Sequence, residues 1–482
     1  MRGVITKGVV QYRGVGQGLF VRGHCCIHPG DSEVPRTISW VYDCGSTAKA
    51  DIHASVDRLV KELSPPKWGL PLDFLVISHL DNDHIRGLPA LLKGCRTKRV
   101  FLPYQQRVLR MVWGLESAAL PTDREELVEL IQVLNNPTEF IRNLDGGVEV
   151  VYVPASTEEG PGSAEDAEYD DSPEPRIIYQ DFPAGSPDPA LEAGKGGLVL
   201  KAGSAVTWHG IWEFVPYVDP KAAGTLLHLE QETIKRLDDR MDKLLERSLD
   251  DQISLVELEG DIEALKGDLY SAMGDGKVRA GRSQGLSSQD KNRISLMAYM
   301  GMLPGWKQVA MAAIPARSSE CPPGVLPFGP LCKQYPRAST LLTGDGYLKA
   351  TDEVDRLCHF LTGRRIDRIV NLQAPHHGSE ANASEYMNGQ INAPVVVFSA
   401  KPNAAGGGHP HVAAVKMFDS WKPPGQLDRH QTIRRLVCDS DFEVWSVSGD
   451  HDDYMWGRIE REMPECTSHM IFWLWGIYRH LY

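Results

Sequence analysis

The chain has 482 residues, of which 42% are hydrophobic and 24% are charged. This length exceeds one ordinary domain and the composition is globular, which excludes a disulfide-stapled miniprotein, a collagen-like chain and a largely disordered chain. Lys and Arg number 51 against 64 Asp and Glu, so the formal net charge is -13. Because the average field repels phosphates, any nucleic-acid binding must be local.

Cysteine usage and apolar runs indicate the compartment. The nine cysteines are scattered along the chain and form no CxxC pair, which suits a reducing compartment better than a disulfide framework. Residues 1–20 lack the apolar core of a signal peptide, and no apolar run reaches the roughly 18 to 20 residues that span a bilayer. We therefore expect a cytoplasmic protein without a transmembrane segment. The apolar cluster at 470–478, within an aromatic tail, is interpreted as a docking helix or strand, with an interfacial membrane anchor as the alternative.

The first hundred residues alternate between strand and helix patterns. In chain order the predicted elements are strands at 4–12, 18–22 and 38–43, a helix at 53–63, a strand at 73–78, a helix at 88–92 and a strand at 99–102. This order predicts an α/β layered fold. Later strand patterns occur at 294–299, 339–343, 368–372 and 395–399.

Two segments in the middle of the chain have unusual composition. Residues 157–197 combine acidic residues with Gly, Pro and Ser and contain few aliphatic residues, which predicts a surface insertion that is largely disordered. In 226–273 apolar residues recur every three or four positions, which predicts one long helix or a helical hairpin, with a spacing compatible with a coiled coil. Its apolar stripe packs against its own domain, the preferred interpretation, or against another copy or a partner protein.

The clearest chemical signal is a polar string directly after the predicted strand at 73–78. Four of its side chains can ligate a metal, namely those of His79, Asp81, Asp83 and His84. A tight loop can turn all four toward one point, at the end of a strand, where ligands bind in α/β proteins. A helix N-cap needs only one such side chain. We therefore predict a metal site.

Two later strands end in similar side chains. The LLTGD run delivers Asp345, and the APHHGS run delivers His376 and His377. Each signal is weak alone, because a strand-ending Asp is often an N-cap and a His pair is often a hydrogen-bonded surface or core feature. Their position after the first cluster favours one shared site.

Together these motifs resemble the HxHxDH, TGD and late-His motifs of the metallo-β-lactamase-fold hydrolases, with Asp81 in the place of the second His. Further runs resemble the soluble, ComEC-type hydrolase branch related to DNA-uptake competence proteins; they are GVGQG at 14–18, YDCGS at 42–46, NxxSL at 292–296 and GHPH at 408–411. The resemblance implies a four-layer αββα sandwich of the metallo-β-lactamase type, with 226–273 as a helical insertion.

The resemblance also implies two divalent metal ions. The first is held by His79 and Asp81; the second is held by Asp83, His84 and one of His376 and His377; and Asp345 bridges the two. Asn292 stands where the superfamily has a third His of the first site, and an amide oxygen binds more weakly than an imidazole. The harder ligands favour Mn²⁺ or Mg²⁺ beside Zn²⁺. Asp43 is expected to support the metal loop by hydrogen bonds.

The chemistry that this site implies is hydrolysis by a hydroxide held between the ions. Asp81 or Asp83 would orient that hydroxide. His409 would protonate the leaving oxygen or contact a phosphate, and its alternative interpretation is a turn histidine. The glycines at 14–18 are interpreted as a tight turn beneath the site, because a dinucleotide-binding glycine motif would open a helix and here a strand follows.

Three functions compete at this point. The leading hypothesis is a metal-dependent phosphodiesterase or nuclease; the others are a hydrolase of a small ester, lactone or thioester, and a scaffold or binding protein with an impaired metal site, which Asn292 makes conceivable. Basic residues within 93–110 and 364–368 are either nucleic-acid contacts or solvated faces, and Phe101, Tyr104 and Trp113 are either base-stacking or core residues.

The predicted domain organisation follows from these assignments. The two halves of the metallo-hydrolase domain are 1–156 and 290–450, separated by the acidic insertion at 157–197, a strand-rich return at 198–225 and the helical insertion at 226–273, and followed by the aromatic tail at 451–482.

Overall fold

The computed structural model describes residues 5–28, 36–64, 71–116, 121–161, 172, 174–181, 197–221, 231–272, 292–303, 307–315, 339–391, 393, 395–400, 409–420, 434–437 and 442–449. The strands are β1 Ile5–Tyr12, β2 Phe20–His28, β3 Arg36–Cys44, β4 Phe74–Val76, β5 Arg99–Pro103, β6 Glu149–Val153, β7 Tyr179–Gln180, β8 Leu198–Leu200, β9 Val206–Trp208, β10 Trp212–Tyr217, β11 Met297–Met302, β12 Lys307–Pro315, β13 Ser339–Leu342, β14 Ile369–Gln373, β15 Val395–Phe398, β16 Arg434–Val437 and β17 Phe442–Gly449.

The helices are α1 Lys49–Leu63, α2 Asn82–Ile85, α3 Leu88–Gly94, α4 Arg107–Glu116, α5 Arg124–Asn135, α6 Pro137–Leu144, α7 Gln231–Ser248, α8 Leu255–Ala272, α9 Thr351–Ile366, α10 Glu385–Ile391 and α11 Val412–Ser420, with a short 3₁₀ turn at Pro375–Gly378. The strands form two mixed sheets. Their orders are β12-β17-β1-β2-β3-β4-β5-β6-β8-β7 and β16-β15-β14-β13-β11-β10-β9.

Each sheet contains a run of parallel strands. In the first sheet β3, β4, β5, β6 and β8 are parallel neighbours, and in the second sheet β13, β14, β15 and β16 are. The carboxyl ends of parallel strands meet at one edge of a sheet, where α/β proteins bind ligands. The predicted polar motifs follow β4, β13 and β14, so each sheet brings its motifs to such an edge.

The two sheets pack face to face through a shared aromatic core. The ring of Phe74 in β4 stacks on Trp208 and Phe214 of the second sheet, with ring centroids 4.9 and 5.4 Å apart. The next residue along β10, Val215, belongs to a second core on the other face, which α9 and α10 fill with side chains such as Leu357 and Met387. Such alternation follows from the two-residue period of a strand. The molecule is therefore an α/β sandwich of two mixed sheets, as predicted at that level.

The helical insertion is a hairpin of the two helices α7 and α8. The helices run antiparallel, since Arg247 pairs with Asp261 at 2.6 Å and Arg240 pairs with Asp268. The apolar stripe is buried, with side chains including Leu237, Met241, Leu244, Leu258, Ile262, Leu265 and Leu269. These residues share the larger core of the chain, so the stripe packs against its own domain.

Polar contacts dock this hairpin onto α4 and α5. Arg107 of α4 makes ion pairs with Asp238 and Asp242 of α7. Arg124 of α5 donates to the backbone carbonyl oxygens of Ser248, Asp250 and Ile253, at 3.1, 2.7 and 3.0 Å.

Part of the acidic insertion belongs to the first sheet. Residues Tyr179–Gln180 pair antiparallel with β8, and Arg99 binds Glu174 at 2.7 Å. Residues 162–171, 173 and 182–196, on which most of the disorder prediction falls, lie outside the described residues, as do residues 401–408 and the tail at 451–482. Among the residues that the structure describes, no helix combines the length and the apolar character needed to cross a membrane.

Candidate metal centre

The loop that follows β4 packs directly on Gly45, the residue after β3. A side chain at Gly45 would place its Cβ 2.3 Å from the backbone of Asp83 and His84. Gly45 in turn packs on Gly18, where an added Cβ would lie 2.4 Å from the Gly45 carbonyl oxygen. Only glycine permits these close approaches, and the glycine turn thus contacts the loop of predicted ligands through Gly45.

The carboxylate of Asp345, at the end of β13, lies at the centre of the site. Its two oxygens are approached by the Nε2 atoms of four histidines. The distances are 3.7 Å to His79, 3.3 Å to His84, 3.4 Å to His376 and 3.6 Å to His377. The structure thus brings together side chains from both sheets.

The two remaining carboxylates of the loop lie at the margin of this cluster. Asp83 Oδ2 is 3.7 Å from His377 Nε2, and Asp81 Oδ2 is 3.6 Å from His79 Nε2. Their side chains are 17% and 11% exposed, compared with 0% for His84 and His377. Asp83 and Asp81 are therefore less deeply buried than these two histidines.

Two groups of these residues could hold a metal ion. His79, His84 and Asp345 form one, and Asp83, His84 and His377 form the other, each with ligand atoms within 4.8 Å of one another. His377 belongs to the second group; His376 belongs to neither.

The chemistry of the donor atoms fits a cation at this place. The Nε2 atoms of His79, His84 and His377 and Oδ1 of Asp345 are buried and make no hydrogen bond. Leaving a buried polar atom unsatisfied costs about 1–3 kcal/mol, and native structures rarely leave several such atoms facing one point. Divalent cations held by the two groups would satisfy all four atoms.

Supporting hydrogen bonds orient two of these rings. His84 Nδ1 donates to Asp43 Oδ2 at 2.8 Å, and His377 Nδ1 donates to the carbonyl oxygen of Ser399 at 3.0 Å. Because a carboxylate and a carbonyl can only accept, each ring donates from Nδ1, which leaves Nε2 as the atom that a cation could bind. Asp43 thus lies where a residue that supports the metal loop was expected.

The charges in the cluster keep its carboxylates ionised. Burial raises the pKa of Asp83, but the nearby charges of His84 and His377 outweigh it and hold that pKa well below its usual value. Burial opposes ionisation of Asp345 too, and His376, His84 and His377 lower its pKa. Burial lowers the pKa of His84, yet the surrounding carboxylates raise it overall. The site is therefore preset for positive charge.

His376 and His409 lie on the more accessible side. The side chain of His376 is 29% exposed, and its ring centroid is 5.1 Å from that of His409. Asn292 Nδ2 lies 3.1 Å from His376 Nδ1, so Asn292 contacts this ring. Burial, together with His376 and His377, lowers the pKa of His409 to about 4, so its imidazole is neutral at pH 7.

The basic residues that follow the metal loop make internal contacts. Lys98 binds Asp73 at 2.8 Å, and Arg99 binds Glu149 at 2.6 Å. Arg110 is buried and donates to three backbone carbonyl oxygens. Together with Arg107 at the hairpin, four of the six basic residues within 93–110 stabilise the fold, while Lys93 and Arg96 are exposed.

The aromatic residues near them belong mainly to the core. Phe101 and Trp113 are 0% and 2% exposed, so they are core residues and not stacking surfaces for bases. Tyr104 is partly buried against Tyr152, with an edge-to-face ring contact.

Several supporting residues were not assigned a role from the sequence. Ser295 Oγ accepts from the backbone N–H of Asp345 at 3.1 Å, and Asn382 Nδ2 donates to the carbonyl oxygen of Asp345 at 3.0 Å. Ser78 and Ser399 contact histidine rings. The signals available were modest: Ser78 precedes His79 directly, and Ser399 follows a strand that ends at the same edge.

No protein-family model matches the chain, and no curated protein matches it in sequence. The fold and the site define an α/β sandwich that carries a buried His/Asp cluster able to hold a metal ion.

Proposed function

We propose that the protein is a metal-dependent hydrolase whose leading substrates are phosphodiesters, including nucleic acids. The observation that carries this proposal is a pair of overlapping His/Asp groups in which four buried ligand atoms have no hydrogen-bond partner and the carboxylates have lowered pKa values. The two-sheet sandwich and the order of the motifs along the chain support the metallo-β-lactamase type of fold as the finer assignment.

The residues that would hold the ions are those of the two groups, His79, His84 and Asp345, and Asp83, His84 and His377. Divalent ions bound there would act as Lewis acids that lower the pKa of a bound water and neutralise charge on substrate oxygens. Asp81 adds a carboxylate oxygen beside His79, and oxygen ligands suit the harder ions that accompany phosphate chemistry.

Three residues of the site would then position the attacking water and the substrate. The carboxylates of Asp83 and Asp81 face the solvent side and can accept a proton from an attacking water. His409 is neutral near pH 7, because its pKa of about 4 lies far below that pH. Because its ring is neutral, His409 would form a hydrogen bond to a substrate oxygen and would not donate a proton as an imidazolium.

The test compares cleavage by matched variants. The chain, purified without chelator, is incubated with labelled single- and double-stranded DNA, RNA and bis(p-nitrophenyl) phosphate in the presence of Mn²⁺, Mg²⁺ or Zn²⁺. The double variant His79→Ala, Asp83→Ala should lose at least about a hundredfold in rate, the lower end of what a positioned acid or base contributes. The control carries His53→Ala and Asp57→Ala on α1, outside the site, and should cleave like the unmodified chain.

Two outcomes would contradict the proposal. Equal cleavage by the site variant and the control would indicate a contaminating enzyme. Elemental analysis that finds no metal in the unmodified protein, together with no binding of added Mn²⁺, Zn²⁺ or Mg²⁺, would favour a scaffold or binding protein instead.

A second candidate function is hydrolysis of a small ester, lactone or thioester on the same site. The observation that favours it is the internal pairing of Lys98, Arg99, Arg107 and Arg110, which removes most of the basic surface expected beside the metal loop. The same variants assayed with p-nitrophenyl acetate and a simple lactone decide between the two, since the larger site-dependent acceleration over the uncatalysed reaction identifies the substrate class.

A further inference from the structure

Ser78 lies between the two histidines that begin and end the metal loop. Its side chain is fully buried. Its Oγ is 2.6 Å from Asp43 Oδ2, 3.0 Å from His79 Nδ1 and 3.2 Å from His84 Nδ1, and its backbone N–H donates to Asp43 Oδ1 at 2.7 Å. Asp43 is fully buried as well.

The direction of these hydrogen bonds is set by counting protons. The hydroxyl of Ser78 has one proton, and a carboxylate at 2.6 Å can only accept, so that proton goes to Asp43. The oxygen of Ser78 is then left as an acceptor toward His79 Nδ1. His79 must therefore carry its proton on Nδ1, which leaves the lone pair of Nε2 free toward Asp345.

We propose that Ser78 is a positioning residue that passes the orienting effect of Asp43 on to His79. Asp43 orients His84 directly, and its hydrogen-bonded connection to His79 runs through the Ser78 hydroxyl. The inference rests on the proposed function, because the tautomer of His79 matters only if Nε2 binds a metal ion. Without the hydroxyl, Nδ1 of His79 has no acceptor there, and either nitrogen can carry the proton.

Ser399 provides a matched contrast. Its Oγ lies 3.2 Å from His377 Nδ1, but its own backbone carbonyl oxygen lies closer, at 3.0 Å. Removal of the Ser399 hydroxyl leaves the carbonyl as acceptor, so His377 keeps its tautomer. Ser78 has no such substitute, because its backbone N–H is a donor that is already bound to Asp43.

The test is metal binding by full-length Ser78→Ala and Ser399→Ala, measured by titration calorimetry with Mn²⁺ and with Zn²⁺. We expect Ser78→Ala to lower the affinity by about 10- to 100-fold, the usual effect of losing a partner of a metal ligand, and Ser399→Ala to leave it within about twofold of the unmodified chain. A third variant, Ser78→Cys, has a slightly larger side chain whose sulfur is only a weak acceptor, and it should also lose affinity.

A second measurement needs neither metal nor activity. In metal-free protein with ¹⁵N-labelled histidine, the ring-nitrogen shifts report which nitrogen of His79 carries the proton. The unmodified chain and Ser399→Ala should show the Nδ1–H form, and Ser78→Ala should shift toward the Nε2–H form. An unchanged His79 tautomer in Ser78→Ala, or unchanged metal affinity in a folded Ser78 variant, would overturn the inference. If the unmodified chain binds no metal at all, the proposed function fails, while the tautomer measurement still tests Ser78.

Discussion

Two buried polar clusters in this protein differ in whether the chain satisfies them. Arg365 and Glu213 are each 1% exposed and form a two-pronged ion pair with distances of 2.9 and 3.0 Å. The remaining terminal nitrogen of Arg365 donates to the carbonyl oxygen of Pro161 at 2.8 Å. In the His/Asp cluster, by contrast, three ring nitrogens and one carboxylate oxygen have no hydrogen-bond partner.

The Arg365–Glu213 pair supports the fold, whereas the His/Asp cluster could hold a ligand. Both clusters incur the cost of removing charge from water. In the first the chain compensates that cost with its own partners, so the pair works within the fold. In the second the chain leaves four atoms without hydrogen-bond partners, and these groups could hold a metal ion.

The largest effect is expected when the buried ion pair of Arg365 and Glu213 is broken. Arg365→Met leaves the carboxylate of Glu213 buried and unpaired, which should lower the free energy of unfolding by about 3–5 kcal/mol. Urea denaturation measures this loss. The double variant Arg365→Met, Glu213→Leu should recover most of the stability, and metal affinity should be unchanged in every folded variant. A metal affinity that falls in parallel would show that the two clusters are not independent.

A smaller effect is expected when a metal ion binds the His/Asp cluster. Mn²⁺ or Zn²⁺ at about 100 times its Kd should raise the free energy of unfolding by about 2.7 kcal/mol, because the ion binds the folded state. Urea denaturation with and without the metal, and after removal by EDTA, measures the gain. Asp345→Asn should abolish most of it, since Asp345 lies against four histidines. Equal stabilisation of this variant would place the metal elsewhere.

The smallest effect distinguishes the two adjacent histidines. His377 is fully buried and its Nδ1 is held by Ser399, whereas His376 is partly exposed and its Nδ1 faces Asn292. His377→Ala should therefore weaken Zn²⁺ binding by at least about tenfold, and His376→Ala by less than that. Competition with a fluorescent chelator measures both. The opposite ranking would make His376 the ligand.

The elements that the sequence predicted well are those with a short-range cause. The predicted helix at 53–63 falls within α1, and the predicted strands at 99–102 and 339–343 coincide with β5 and β13. These predictions succeed because apolar periodicity indicates which face of a segment is buried. The helices α4, α5 and α6 were not predicted. Each is short and packs among other helices, so part of its apolar pattern reflects neighbours that are distant in the chain.

The basic residues show the limit of such reasoning most clearly. A cluster of Lys and Arg reads the same in a sequence whether it faces solvent or partners within the fold. Arg107 meets Asp242, which lies 135 positions further along the chain, and Arg365 meets Glu213 across 152 positions. Only the folded chain reveals such pairs.

The sequence by itself determined the α/β class and the identity of the residues that converge, because ligand motifs at strand ends and the periods of strands and helices are local properties. The tertiary structure alone decided how those residues are used. It selected the histidines whose Nε2 atoms are left unsatisfied, and it placed Ser78 and Ser399 behind them. Hydrogen-bond direction and burial depend on atoms contributed by segments hundreds of residues apart, and no local pattern encodes them.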